Sequence, residues 1–335
     1  MTTLRRPSRR QVLIAGGLSS GLVATGAWRL GTAANVQTGR RAGIAFGTTV
    51  TLRGHHQDQA TLQAGLDAAW AEIEKVQEAA NLFSPRSALS RLNRDGFLAD
   101  APTALTEMLV AAREVSELTD GAFDITVQPL WRLHESAYKA GRAPSDDDIA
   151  AVRALIGYRK VFVDGSRVRL AMPGMALTLN GIAQGYATER CLRALNAHGI
   201  ADAFLNTGEI GVSGRRNGHE DWTAGIADPR REGAYVALLK PLSGILATSG
   251  DYATAFTDDF SAHHIFDPNT LRSPTQMASV SVLTQSGARA DALATAMMVM
   301  PAAESLALAD RVGDVEVLLV SKRGEISRTS GFPVA

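Results

Sequence analysis

The chain has 335 residues, 45% of them hydrophobic and 20% charged, enough apolar material for a large buried core and too little charge for a disordered chain. Lys plus Arg and Asp plus Glu balance at 34 each, so no global field recruits nucleic acid or an anionic membrane, and a partner must be recognised locally. A single cysteine, Cys191, excludes an internal disulfide.

The first 34 residues differ from the rest. Two Arg pairs, Arg5-Arg6 and Arg9-Arg10, precede a charge-free run from Gln11 to Trp28, and small residues follow at Thr32 to Ala34. That is the plan of a secretory signal. The stretch SRRQVLI further resembles a twin-arginine export signal, which implies a periplasmic protein whose mature chain starts near Asn35. An uncleaved anchor is the lesser reading, because the run falls short of the roughly 20 strongly apolar residues a spanning helix needs. No stable span is therefore expected after cleavage. Residues 35–335 read as one domain, with no linker between 43 and 335.

GIAFGTTVTLR (43–53) alternates and is rich in Thr and Val, which predicts a strand. Leu62, Leu66, Ala69, Trp70, Ile73 and Val76 recur at helical spacing and predict a helix over 58–80, ending before NLFSPRS. His55-His56, between the two, reads as a solvated loop. A second helix is predicted over 102–118, and TDGAFDITVQPLW (119–131) breaks the pattern with Asp-Gly and Pro. Ser145 followed by three Asp is a capped helix start for 145–157. KVFVDGSRVRLAM (160–172) predicts a hairpin joined at Asp164-Gly165. Residues 178–200 read as a strand end, a Gly-bounded turn and a helix closed by Gly199. Short strands dominate 201–282, a helix follows over 288–300, and 315–326 closes as a hairpin. Strands grouped with scattered helices, without regular alternation, predict an α+β fold over a doubly wound parallel sheet.

Three segments hold residue types suited to chemistry. In GARADALATAMMVM (287–300), Asp291 and Thr295 stand four apart and share one helix face. A carboxylate and a hydroxyl so placed suit a hard cation such as Mg²⁺. Spacing alone favours the plainer reading, a helix acid beside an ordinary surface Thr. In NGIAQGYA (180–187) two glycines frame a turn before a helix, where backbone groups can approach a ligand and a helix N-terminus can face an anion. It matches neither the Walker A pattern nor the full GxGxxG fingerprint, and a packing turn is its plainer reading. HHIFDPNT (263–270) sets two histidines side by side before an Asp-Pro turn, downstream of ATSGDYATAF (247–256). Adjacent strand residues point to opposite faces, so one histidine can face a site, and the two cannot share a metal. A solvated imidazole at a strand end is the even alternative. The stripe Met297, Met298 and Met300 reads as core filling.

Taken in chain order, FGTTV near 46, LFSPRSALSRLN (82–93), DGAFDITVQPLW (120–131), LNGIAQGYATE (179–189), TGEIGVSG (207–214), ATSGDY (247–252), HHIFDPNT and ADALATA (290–296) resemble the ApbE-like FAD:protein FMN transferases. The resemblance spans almost all of the chain after residue 34. It implies a T-fold-like α+β domain, with mixed sheets and packed helices, that binds FAD and Mg²⁺ and cleaves the pyrophosphate. FMN would join a Thr or Ser hydroxyl of a target flavoprotein, with AMP leaving. It also implies Mg²⁺ held by Asp291, Thr295 and the backbone carbonyl of Ala183. Flavin and adenosine contacts would come from Phe46, Phe83, Ala122, Phe123, Asp124, Asn180 and Ile265. His264 would be the general base or proton shuttle, with His263 as the fallback.

The sequence departs from the family pattern at several points. Phe83 stands where Tyr is frequent, Gln184 replaces a common Lys, and Thr178 and Asn180 replace a common Asp and Gly. TGEI replaces a Gly-Gly-Asp pattern, and Leu271-Arg272-Ser273 follows DPNT where Gly is usual. These differences bear on substrate preference more than on the metal. They are similar to the exported branch that flavinylates the membrane electron donor of nitrous oxide reductase, which makes a membrane-bound electron-transfer subunit the implied acceptor. Two other functions fit the same site: an FAD pyrophosphatase releasing FMN and AMP to water, and an FAD carrier without turnover. The presence of His264, Asp291 and Thr295 favours catalysis over carriage.

Overall fold

The computed structural model describes residues 36–216 and 218–335. The export signal expected over 1–34 lies outside the described residues. Strands β1 (Gln37–Ala45) and β2 (Thr48–His56) pair antiparallel. The strand expected over 43–53 is therefore a hairpin corner. Phe46 and Gly47 turn it with φ of 51° and 70°, and two successive left-handed residues match the twist of a tight hairpin. His55 lies inside β2, not in a solvated loop: its ring stacks on Trp222 at 5.9 Å and its Nδ1 lies 3.0 Å from Thr38 Oγ1.

Helix α1 (Gln59–Ala80) starts at Asp58, whose side chain accepts from Thr61 N, and buries the apolar stripe read from its spacing. Helix α3 (Thr103–Leu118) matches the expected span, while α2 (Ala88–Asp95) and α4 (Gln128–Lys139) were not revealed by periodicity. In α4 the proline that looked like a breaker sits in the first turn, where no intrahelical N–H is required. Helix α5 (Asp146–Arg153) begins with the reciprocal capping box of Ser145 and Asp148. A small sheet of β3 (Phe97–Leu98), β4 (Val161–Asp164) and β5 (Arg167–Leu170) contains the expected hairpin. Residues 178–182 are extended chain and turn without a ladder, and lead into α6 (Ala183–Ala197).

The remaining strands are β6 (Asp202–Asn206), β7 (Ile210–Ser213), β8 (Trp222–Ala227), β9 (Tyr235–Leu242), β10 (Gly244–Gly250), β11 (Met277–Thr284), β12 (Glu316–Ser321) and β13 (Ile326–Arg328). The main sheet runs β1-β2-β6-β7-β10-β11-β12-β13, antiparallel at every junction. Helix α7 (Gly287–Val299) packs on β10, β11, α3 and α6, and α8 (Ala302–Val312) follows it. Nearly every face of α7 is buried, Met297 and Met298 included, as expected of core filling. The fold is thus the expected single α+β domain. Among the described residues no helix is long and apolar enough to cross a membrane.

Candidate active site

Two glycines set the geometry. A Cβ on Gly185 would lie 2.0 Å from Gly287 O, and one on Gly287 would lie 2.0 Å from Gly185 O, so α6 and α7 cross backbone to backbone. No side chain fits there. Gly185→Ala is expected to destabilise the protein by about 1–3 kcal/mol or more through overpacking, read as a lowered midpoint in urea with an unchanged slope. A wild-type midpoint would show that the crossing can open without cost.

The crossing brings the N-terminal turn of α6 onto Asp291, whose Oδ2 accepts from Gly185 N at 2.9 Å. Asp291 is only 5% exposed. Burial pushes its pKa up to about 7, against the partial relief of the Gly185 and Gln184 amides. Glu209, in the turn between β6 and β7, is also buried and is pushed well above the usual carboxylate range, by burial first and then by the charge of Asp291. Its Oε2 accepts from Thr248 N at 2.9 Å. Gln184 Nε2 donates to Thr207 O at 3.3 Å and ties the start of α6 to the turn that carries Glu209.

One turn along α7 from Asp291, Thr295 is half-buried with its Oγ1 3.1 Å from Ser249 Oγ. A Cβ on Gly181 would lie 2.8 Å from that Oγ1 and 3.4 Å from Phe123 Cε2, so the turn, Thr295 and Phe123 meet at one point. The structure therefore joins two motifs that were separate in sequence. Ala183 opens α6, its amide donating to Leu179 O at 2.9 Å. The donors gathered here are oxygens only, the set a hard cation takes. Among the described residues no three His, Cys, Asp or Glu side chains converge.

The other expected contact residues fall into two groups. Ala122, Phe123 and Ile265 are buried in the same core cluster as Ile182 and Ala183. Asp124 is buried beside them with a raised pKa, chiefly from burial. Its carboxylate accepts from Thr126 N at 2.8 Å, Thr126 Oγ1 at 2.6 Å and Tyr158 N at 2.8 Å. That side chain is committed to shaping the turn that presents Ala122 and Phe123. Phe46, Phe83 and Asn180 lie nearer the surface. Phe46 donates its amide to Gln77 Oε1 at 3.3 Å, Phe83 donates its amide to Asn81 Oδ1 at 2.9 Å, and Asn180 donates its amide to Thr178 Oγ1 at 3.3 Å. Phe83 is 82% exposed, an aromatic face left to water.

HHIFDPNT is not a strand. It lies in a long irregular loop between β10 and β11 whose only pairings are the isolated bridges Ala255↔His263 and Asp267↔Arg272. The histidines nevertheless diverge. His263 is fully buried, donates from Nε2 to Pro274 O at 3.0 Å and accepts at Nδ1 from Ile265 N at 3.4 Å, and burial lowers its pKa. Both its nitrogens hold the loop. His264 is half-buried and its Nδ1 donates to Thr254 O at 3.1 Å, which leaves Nε2 as the basic nitrogen of the neutral ring.

Sequence reasoning passed over Glu209 as a site acid, and it grouped Ser249 with the histidine segment rather than with Thr295. Both lie within stretches that carried the family resemblance, and Glu209 was noticed only as a departure from a pattern. A cavity of about 910 Å³ lined by Glu72, Lys75, Arg86, Arg91, Glu107 and Arg190 contains none of these residues. A smaller cleft of about 390 Å³ meets the site at Ala122, beside Asp120, Asp267 and Asn269.

Comparison with known proteins places the chain in a family. The ApbE family model matches residues 46–319. The FAD:protein FMN transferase of Vibrio cholerae is 30% identical over 296 residues, covering 84% of this chain and 86% of that protein. The crystal structure of the ApbE protein of Thermotoga maritima superposes with a TM-score of 0.79 at 28% identity, covering 88% of this chain and 97% of that one. The apo flavinyl transferase ApbE of Pseudomonas stutzeri superposes with a TM-score of 0.76 at 28% identity, covering 88% and 95%. With the matched region spanning most of the described fold, the chain belongs to the ApbE family.

Proposed function

We propose that the protein transfers FMN from FAD to a Thr or Ser hydroxyl of an acceptor flavoprotein, in the presence of Mg²⁺ and with AMP as the leaving product. The observation that carries this reading is the buried acid pair Asp291 and Glu209 beside the hydroxyls of Thr295 and Ser249, against the first turn of α6. Burial raises the pKa of both neighbouring acids, and a cation bound between them would favour their ionised form. Asp291, Thr295 and the Ala183 carbonyl would hold Mg²⁺, which when bound supplies charge neutralisation to the pyrophosphate. The chain's own part is positioning and proton handling. The α6 N-terminus favours the phosphate anion, and Phe46, Phe83, Ala122, Phe123, Asp124, Asn180 and Ile265 offer the surfaces for flavin and adenosine. His264 Nε2 takes the proton of the acceptor hydroxyl as its oxygen bonds to the FMN phosphorus and the bond to AMP breaks.

The same reading includes export by the twin-arginine route, on the strength of Arg9-Arg10, and a periplasmic location. It takes as acceptor a membrane-bound electron-transfer flavoprotein such as the electron donor of nitrous oxide reductase, on the strength of the departures from the family pattern.

The test incubates the chain from Asn35 with FAD, Mg²⁺ and a candidate acceptor domain. In-gel fluorescence and a mass gain of one FMN residue on the acceptor are expected. Free FMN without covalent flavin would identify a hydrolase, and intact FAD a carrier. The acid pair also predicts a pH dependence. A carboxyl whose folded pKa is raised to about 7 from 3.8 contributes stability that is full below 3.8 and lost as pH rises through about 7. In chelator, thermal stability is therefore expected to fall from pH 4 to pH 8, and Mg²⁺ is expected to restore it most at the upper end. A metal-free curve flat over that range would remove the assignment.

A further inference from the structure

The loop that carries His264 has almost no ladder of its own, yet its tip is fastened to the sheet. Phe260 sits there with a φ of 59°, a left-handed conformation that costs a bulky residue free energy and persists only where surroundings impose it. Its ring faces the Arg230 guanidinium at 4.3 Å, and its carbonyl accepts from Lys322 Nζ. Both cations end on one carboxylate. Arg230 grips Asp251 Oδ1 and Oδ2 at 2.8 and 2.7 Å, and Lys322 Nζ lies 3.4 Å from Oδ2. The Asp251 side chain is 0% exposed, against 32% for Arg230 and 18% for Lys322.

These residues arrive from separate elements: Arg230 from the β8–β9 connection, Asp251 just past β10, and Lys322 just past β12. Two cations on one buried carboxylate leave a positive excess, and the ring face and carbonyl of Phe260 absorb it. From the tip the chain folds back on itself. Phe256 N donates to Ala262 O at 2.8 Å, and Thr254 O accepts both from His264 N at 3.0 Å and from His264 Nδ1 at 3.1 Å.

We propose that Asp251, Arg230, Lys322 and Phe260 form a positioning clamp for His264: the carboxylate holds the cations, the cations hold the loop tip, and the folded-back segment sets the Thr254 carbonyl that orients the imidazole. This rests on the reading that His264 takes the acceptor proton. None of the four residues is assigned to FAD or metal, so the clamp acts on the transfer rate rather than on FAD binding. All four are positioning residues.

The test compares Phe260→Gly and Arg230→Lys in the otherwise wild-type chain and in the His264→Ala chain, with FAD, Mg²⁺ and acceptor. Glycine tolerates the left-handed backbone, so Phe260→Gly removes the ring without straining the fold. A displacement of about 1 Å at a reacting group costs on the order of 10²-fold in rate. Phe260→Gly is accordingly expected to lower kcat for transfer about 10- to 100-fold, with KM for FAD and FAD affinity unchanged. Phe260→Trp, which keeps an aromatic face for Arg230, is expected to restore most of the rate. Arg230→Lys, which keeps the charge and loses the fork, is expected to fall between. In the His264→Ala chain none of these substitutions is expected to lower the residual rate further. An equal loss in both backgrounds, or a wild-type kcat for Phe260→Gly beside an impaired His264→Ala, overturns the clamp alone. Full transfer by His264→Ala overturns the base reading, and the clamp with it.

Discussion

Asp291→Asn is expected to lower Mg²⁺-dependent FMN transfer by on the order of 10³-fold, as removal of a charge that organises transition-state stabilisation does elsewhere. The amide is nearly isosteric and its oxygen still accepts from Gly185 N, the bond now made at 2.9 Å, so the crossing of α6 and α7 is kept. What disappears is the ionised oxygen available to a cation. A second readout separates metal from fold. In chelator above pH 7, where a buried ionised Asp291 is costly, Asp291→Asn is expected to raise thermal stability over wild type. The added stabilisation by Mg²⁺ seen with wild type is expected to vanish. Unchanged transfer, or unchanged Mg²⁺ stabilisation, would remove Asp291 from the metal site. Because the charge of Asp291 also pushes the Glu209 pKa upward, the substitution should lower that pKa, visible as a smaller metal-free pH dependence.

His264→Ala is expected to lower kcat by about 10²–10⁴-fold, the usual contribution of a positioned general base. FAD affinity should hold, because the role assigned to the imidazole is proton transfer and not FAD binding, and its Nδ1 is anchored to Thr254 O. His263→Ala should behave differently. Its two ring nitrogens hold Pro274 O and Ile265 N, so its loss is expected to lower stability by about 1–3 kcal/mol, the cost of leaving buried partners unpaired. Retained transfer in His264→Ala with lost transfer in a folded His263→Ala would exchange the two roles.

The contrast between these histidines shows how far the residues could be read in advance. Their divergence was legible, since neighbouring side chains in extended backbone point apart. The strand that was expected to carry them is absent, because this segment is held by side chains from Arg230, Lys322 and Ser273 rather than by a ladder. The same limit appears at Phe46, where alternation read correctly on both sides of a corner that only backbone dihedrals reveal. Proline in α4 misled for a related reason: its meaning depends on whether it falls in a first turn or an interior.

By itself the sequence determined what local chemistry determines. Asp58 and Ser145 start helices because their own oxygens reach amides three residues on, and the stripe of α1 is apolar at the helical period whatever it packs against. Charge balance excluded a global electrostatic role, and eight ordered stretches carried the family. Only the tertiary structure decided that Asp291 is buried, that it meets an amide 106 residues away, and that Glu209 shares its surroundings. The reason is physical. Acid constants and ligand sets depend on desolvation and on contacts between segments distant in sequence, and these exist only once Gly185 and Gly287 let two helices touch.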